Sequence, residues 1–158
     1  MRAKEGVVER LNRILTNELT AINQYFLQAE MCRHWGYERL YHELRDFSID
    51  EMKDAQQLIE HILYLEGMPN LQRLGTVRAG ESAPEHLRLT LASEIEAVET
   101  YREAIAHCAQ VGDYTTRNLL EEMVRDEEEH IDWIETQLEA IRQLGEAQYL
   151  AQQLHKEG

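Results

Sequence analysis

Five carboxylates and a histidine stand where helical apolar stripes should run unbroken. Glu18 lies between Leu15 and Ile22, and Glu94 between Leu91 and Val98. On the stripe 44, 47, 51, 54, 58, 62 the middle places are Glu51 and Asp54, and on another stripe Glu127 and His130 fall between Met123 and Ile134. An unpaired carboxylate in an apolar setting is costly, and protonation, pairing or a metal ion relieves the cost. Glu127 alone, inside RDEEEHID, reads as part of a solvated acidic run. The recurrence of such residues on four helices is what points to chemistry. Residues three apart share a helix face, so Glu51/Asp54 and Glu127/His130 each present two ligands together. One glutamate from each of two helices, with a Glu-x-x-His-type pair from each of two others, is a ligand set for two iron or manganese ions. Hard oxygen donors with imidazole suit iron, manganese or zinc, and the lack of thiolate argues against a structural zinc site.

The spacing sharpens this reading. Glu18 and Glu51 are 33 residues apart, and so are Glu94 and Glu127. The midpoints of both pairs fall beside Trp35-Gly36 and Val111-Gly112, two natural turns. Two antiparallel hairpins would therefore each bring two glutamates to one level. The halves also repeat with an offset of 76: Glu18 maps to Glu94, Ala21 to Ala97, Tyr25 to Tyr101, Cys32 to Cys108, Leu44 to Leu120, Asp50 to Asp126, Glu51 to Glu127 and Asp54 to His130. Such self-similarity implies two related helical hairpins meeting about a pseudo-twofold axis, with the six candidate ligands on it.

The elements that must position them follow from apolar periodicity. Val7, Leu11, Ile14, Leu15, Leu19, Ile22, Tyr25, Phe26 and Ala29 define a first helix ending near Trp35-Gly36. A second runs from about Glu38 to Glu66, with Gly67 as its expected cap and Pro69 forbidding continuation. GMPNLQRLGTVRAGESAP reads as a long extended connection. Ser82 is the expected N-cap of a third helix carrying Leu87, Leu91, Ile95, Val98, Tyr101, Ile105 and Cys108, with Pro84 in its first turn and Glu85 completing a capping box. A fourth carries Leu120, Met123, Ile131, Ile134, Leu138 and Ile141 up to Gly145, and a short C-terminal helix follows. Short turn, long crossover, short turn is the all-α, ferritin-like connectivity of a four-helix bundle. A single domain spans residues 1–158.

The net charge is -14 with histidines neutral, which repels nucleic acid and anionic membranes and attracts cations. No apolar run is long enough to span a membrane, and MRAKEGVVERLNRIL lacks the apolar core of a signal peptide. Cys32 and Cys108 fall on helical apolar stripes and are expected to be buried free thiols, so a cytoplasmic location is expected.

NELTAINQYFLQAE around Glu18 and Tyr25, SIDEMKDA around Glu51, EGMPNLQRLG in the crossover and RDEEEHIDWIETQL around Glu127 and His130 together resemble the bacterioferritins over nearly the whole chain. The resemblance implies iron storage in a hollow shell of twenty-four subunits, with Fe(II) oxidised by O2 or peroxide at an intrasubunit centre of two iron ions per subunit. It makes Glu18 and Glu94 terminal ligands, Glu51 and Glu127 bridges, His130 the imidazole ligand of one iron, and Tyr25 a neighbour of the centre. It makes Met52 an axial ligand of a b-type haem shared between two subunits. On its own Met52 reads as an ordinary packing or interface methionine; one place past Glu51, it points about 100° off the metal face. A ferredoxin-type reductant for iron release is a further implied partner.

The chain departs from the family pattern at two places. Asp54 stands where the family has a ligating histidine, and Asp46 where it commonly has histidine at the inner surface, while Asp50 is kept as a candidate metal-binding residue there. An aspartate oxygen lies as many bonds from the main chain as the imidazole nitrogen nearer the backbone, so reach is preserved while one negative charge is added. Two further readings stay open: a haem-bearing, oxidation-poor subunit that joins a second bacterioferritin subunit in a hetero-oligomer, and a different di-metal redox enzyme on the same bundle.

Overall fold

The computed structural model describes residues 1–154; the last four residues of the expected domain lie outside that description. Four long helices form the body: α1 Val7–His34, α2 Glu38–Tyr64, α3 Ala83–Val111 and α4 Tyr114–Leu144, followed by the short α5 Glu146–Ala151. The pairs α1–α2 and α3–α4 are antiparallel hairpins, and the segment between Tyr64 and Ala83 crosses over between them.

The two hairpin turns are built alike. Gly36 and Gly112 take the left-handed conformation (φ 90° and 79°). The next residues, Tyr37 and Asp113, donate their N–H groups back to the carbonyls of Cys32 and Cys108, which is the Schellman closure of a helix end. These four residues are again related by the 76-residue offset. Asp113 then caps α4, accepting from the Thr116 N–H at 3.0 Å. Ser82 caps α3 by accepting from the Glu85 N–H, while the Glu85 carboxylate reaches back to the Glu81 N–H.

The end of α2 differs from expectation. Glu66, not Gly67, takes the positive φ (63°), and Gly67 donates its N–H to the Ile62 carbonyl one place further on. Gly67 is needed for space: a Cβ there would stand 2.9 Å from both methyls of Val8.

The crossover lies along α1, held by a polar ladder whose rungs stand eight or four residues apart. Asn12 accepts from the Asn70 N–H and donates to the Met68 carbonyl; Thr20 accepts from the Gly75 N–H; Gln24 accepts from the Arg78 N–H; Gln28 donates to the Arg78 carbonyl. The ladder satisfies backbone groups of a segment that has no secondary structure of its own to do so.

Two apolar clusters fill the bundle. One gathers Val7, Leu11, Ile14, Leu15, Leu58, Ile62, Tyr101, Leu120 and Met123; the other gathers Tyr25, Ala29, Leu40, Leu44, Phe47 and Tyr149. Cys32 and Cys108 are buried free thiols, as expected. Two stripe residues were misplaced: Phe26 and Ile95 are 58% and 50% exposed. Each follows a residue aimed at the bundle centre, Tyr25 or Glu94, and one residue turns the helix by about 100°.

Candidate metal centre

Between the two apolar clusters lies a polar layer. Glu18 from α1, Glu51 and Asp54 from α2, Glu94 from α3, and Glu127 and His130 from α4 are all buried there. The structure thus brings together the six residues singled out from spacing. They form two overlapping groups. Glu51, Glu94, Glu127 and His130 make one; Glu18, Glu51, Asp54 and Glu127 make the other. Within each group, one candidate ligand atom per residue lies within 4.8 Å of every other. That is the spread around a single ion with bonds of about 2.1 Å, where opposite ligands are about 4.2 Å apart. Glu51 and Glu127 belong to both groups, as residues bridging two neighbouring ions must.

Glu94 and Glu18 are each held by a tyrosine from the other hairpin. The Tyr25 hydroxyl donates to Glu94 Oε1 at 2.9 Å, and the Tyr101 hydroxyl donates to Glu18 Oε1 at 2.7 Å. The offset of 76 relates both donors and both acceptors, so these crossed bonds are the pseudo-twofold axis made visible. Burial, with the carboxylates around them, pushes both phenols well above their ordinary range, so they remain donors. On the apolar stripe of α3 Tyr101 counts as a core residue; its mapping onto Tyr25 is the sequence signal for its hydrogen bond.

His130 is fixed on two sides. Phe47 stacks on its ring, with centroids 4.1 Å apart, and Nε2 stands 3.4 Å from Asp50 Oδ2. Nδ1 faces the layer, 3.1 Å from Glu51 Oε1 and 3.9 Å from a Glu127 oxygen, with no hydrogen bond to either. Asp50 is half exposed and belongs to neither ligand group; it orients His130 from outside, the usual task of a carboxylate behind a metal-binding imidazole. Asp46 and Met52 lie on exposed faces of α2.

The layer is not satisfied by protein groups alone. Glu18 Oε2, both oxygens of Glu51, Asp54 Oδ2, Glu94 Oε2, Glu127 Oε1 and His130 Nδ1 are buried without a hydrogen-bond partner. Buried polar atoms almost always have partners, and here the unpartnered atoms come from all six candidate ligands. The donor set fits two hard divalent cations. Burial and mutual repulsion among the carboxylates push Glu51 and Glu127 well above the carboxylate range. Asp54 is pushed up to about 8, by burial first and then by Glu18, Asp126, Asp50 and Glu94. Burial also raises Glu18, although the Tyr101 bond works against it.

Two openings reach the layer. A cavity of about 130 Å³ lies under the crossover and is lined by Asn17, Glu18, Tyr25, Glu94 and Arg78 among others. A larger one of about 380 Å³, on the α2–α4 side, is lined by Asp50, Asp54, Asp126, Glu129, His130 and Trp133.

The described helices contain none long and apolar enough to cross a membrane. The family model of the ferritin-like domain matches residues 8–144. A bacterioferritin of Mycobacterium leprae is 45% identical over 152 residues, 96% of each chain. One of Rhodobacter capsulatus is 43% identical, covering 92% of this chain and 90% of its own, and one of Brucella melitensis is 42% identical, covering 94% and 92%. With the bundle, the crossover and the six-residue polar layer in place, this chain belongs to the bacterioferritins of the ferritin-like family.

Proposed function

We propose that this protein stores iron, and that the polar layer is a ferroxidase centre taking two Fe(II) ions per subunit. The observation that carries this is the pair of overlapping ligand groups sharing Glu51 and Glu127, with their buried atoms left without protein partners. Bound there, iron supplies one-electron chemistry, passing to Fe(III) with O2 or peroxide as acceptor. The chain's own residues do the rest. Glu51 and Glu127 set the separation of the two positions. Tyr25 and Tyr101 each occupy one oxygen of a terminal glutamate and leave the other free to ligate. Asp50 on Nε2 leaves His130 Nδ1 for the metal. Because burial favours the protonated carboxyls, cation entry must displace protons, so affinity falls as pH falls. The acidic side chains around the larger opening draw cations towards the layer and offer a route for oxidised ions to leave it.

The assembly that encloses the mineral is a hollow shell of twenty-four subunits. Its support is the set of large apolar side chains left exposed on α1, α2 and the crossover, among them Phe26, Met52, Leu63, Met68, Leu71 and Leu74; where such side chains adjoin, they mark a contact between molecules. Met52, 55% exposed, offers its thioether to a haem shared with a second copy. Asp54 lies buried in its ligand group with an unpartnered oxygen, which favours a working centre over an oxidation-poor subunit of a mixed shell.

The test is aerobic addition of Fe(II) to the purified assembly, following ferric absorbance beside the haem spectrum. A rapid phase saturating near two irons per subunit, abolished in Glu127→Ala, is expected. Slow oxidation alone, with haem present, would instead assign the chain to a mixed shell that needs a second subunit for iron chemistry.

A further inference from the structure

The two ligand groups differ in one residue type. The Glu94–His130 position has three carboxylates and an imidazole, whereas the Glu18–Asp54 position has four carboxylates and no nitrogen. The difference lies in the ligands themselves. Asp54 and His130 occupy equivalent places on α2 and α4, both are buried, and both leave a potential ligand atom, Oδ2 or Nδ1, without a partner. The shared residues Glu51 and Glu127 are common to both positions, and each terminal glutamate carries an equivalent tyrosine. The other metal-facing groups are thus matched, and the contrast between the two ligand sets is oxygen against nitrogen and one extra negative charge; behind them, Phe47 and Asp50 pack on His130, while the charges of Asp126 and Asp50 act on Asp54.

Both contrasts act in the same direction. Carboxylate oxygen suits manganese and magnesium, while imidazole suits zinc, iron and nickel. If the bridging carboxylates are divided equally, the Glu18–Asp54 position faces one more negative charge than the other, in a layer of buried side chains. An uncompensated charge in such a layer is costly, so this position favours a hard ion that tolerates an all-oxygen shell and holds it more firmly as the ion's charge rises.

We propose that the two metal positions are unlike in selectivity: the Glu18–Asp54 position is an all-oxygen site relatively selective for hard ions such as Mn(II), and the Glu94–His130 position is relatively selective for ions that favour imidazole, such as Zn(II). The proposal rests on the two-metal reading of the layer given above. Zn(II) binds most sites more tightly than Mn(II), so the prediction concerns the ratio of the two metals at each position.

The experiment uses the assembled protein crystallised with excess Mn(II) and limiting Zn(II), with anomalous differences collected at both absorption edges. The Zn-to-Mn occupancy ratio is expected to be roughly ten-fold higher at Glu94–His130 than at Glu18–Asp54, on the ligand preferences stated above. In solution, Zn(II) added to the Mn-loaded protein should displace one Mn(II) per subunit readily and the second only at much higher Zn(II), followed by electron paramagnetic resonance. Asp54→His should bring the two ratios together, as should His130→Asp by the opposite route. Equal ratios in the unaltered protein would overturn the inequivalence and leave the two-metal centre standing. No bound metal at either position would overturn both.

Discussion

The hairpins α1–α2 and α3–α4 are alike inside and unlike outside. Inside, the offset of 76 relates Glu18 to Glu94, Tyr25 to Tyr101 and Glu51 to Glu127, and each tyrosine crosses to the other hairpin's glutamate. Outside, the same offset pairs Phe26 with Arg102, Ile49 with Arg125, Met52 with Glu128 and Leu63 with Glu139. At these four positions one hairpin carries apolar side chains where the other carries charge. The interior is constrained by a shared ligand geometry that neither half can leave alone. The exterior is free of that constraint, and in the proposed assembly it would meet a neighbouring subunit on one side and water or mineral on the other. The one break inside, Asp54 against His130, is therefore conspicuous.

The largest effect expected from this comparison is on assembly. If the proposed shell forms through this face, giving α1 and α2 the residues of the other hairpin, Phe26→Arg with Met52→Glu, should reduce it to small species in sedimentation velocity, because burying unpaired charge in an apolar contact is strongly unfavourable. An unchanged mass would show that the apolar face is not the contact. A smaller effect is expected at the crossed tyrosines. Tyr25→Phe and Tyr101→Phe should each weaken Co(II) binding by roughly 10-fold, the lower end for residues that support metal ligands. Measured by titration calorimetry, the two losses should match within a few-fold; a silent Tyr101→Phe would remove the symmetry from the centre.

The smallest effect is in pH. The Asp54 carboxyl is held up to about 8 against an ordinary 3.8, so the folded metal-free chain keeps a proton there that the unfolded chain has lost. This favours folding below the ordinary value, and the contribution disappears as pH rises through about 8. The thermal midpoint of the metal-free protein should fall over that window, and Asp54→Asn should flatten the fall. Asp126→Asn, which removes only one of the charges that raise Asp54, should flatten it less. A slope unaltered by Asp54→Asn would place the titrating group elsewhere.

Much of the centre was legible because its signal is periodic. A carboxylate on an apolar stripe, repeated at the same level in four helices, survives errors of a residue or two in helix ends. The two turns were legible because glycine at a left-handed position follows directly from backbone sterics. What failed was finer in angle. Phe26 and Ile95 follow site-facing residues and were counted on the stripe, yet they lie on the outside. Asp50 is expected only as an inner-surface candidate, and its contact with His130 Nε2 depends on how α2 and α4 pack. Gly67 was expected at the left-handed place, which Glu66 takes, because the tight approach of Val8 demanded the glycine one position later.

The sequence by itself determined the bundle, its two short turns, its long crossover and the six side chains of the polar layer, since each follows from periodicity and spacing along one chain. The distances that gather those six into two groups sharing Glu51 and Glu127, the crossed tyrosine bonds, and the Asn12–Thr20–Gln24–Gln28 ladder under the crossover were decided only in the tertiary structure. Each depends on distances between elements that pack side by side, and helical periodicity fixes which face a residue occupies without fixing what stands opposite it.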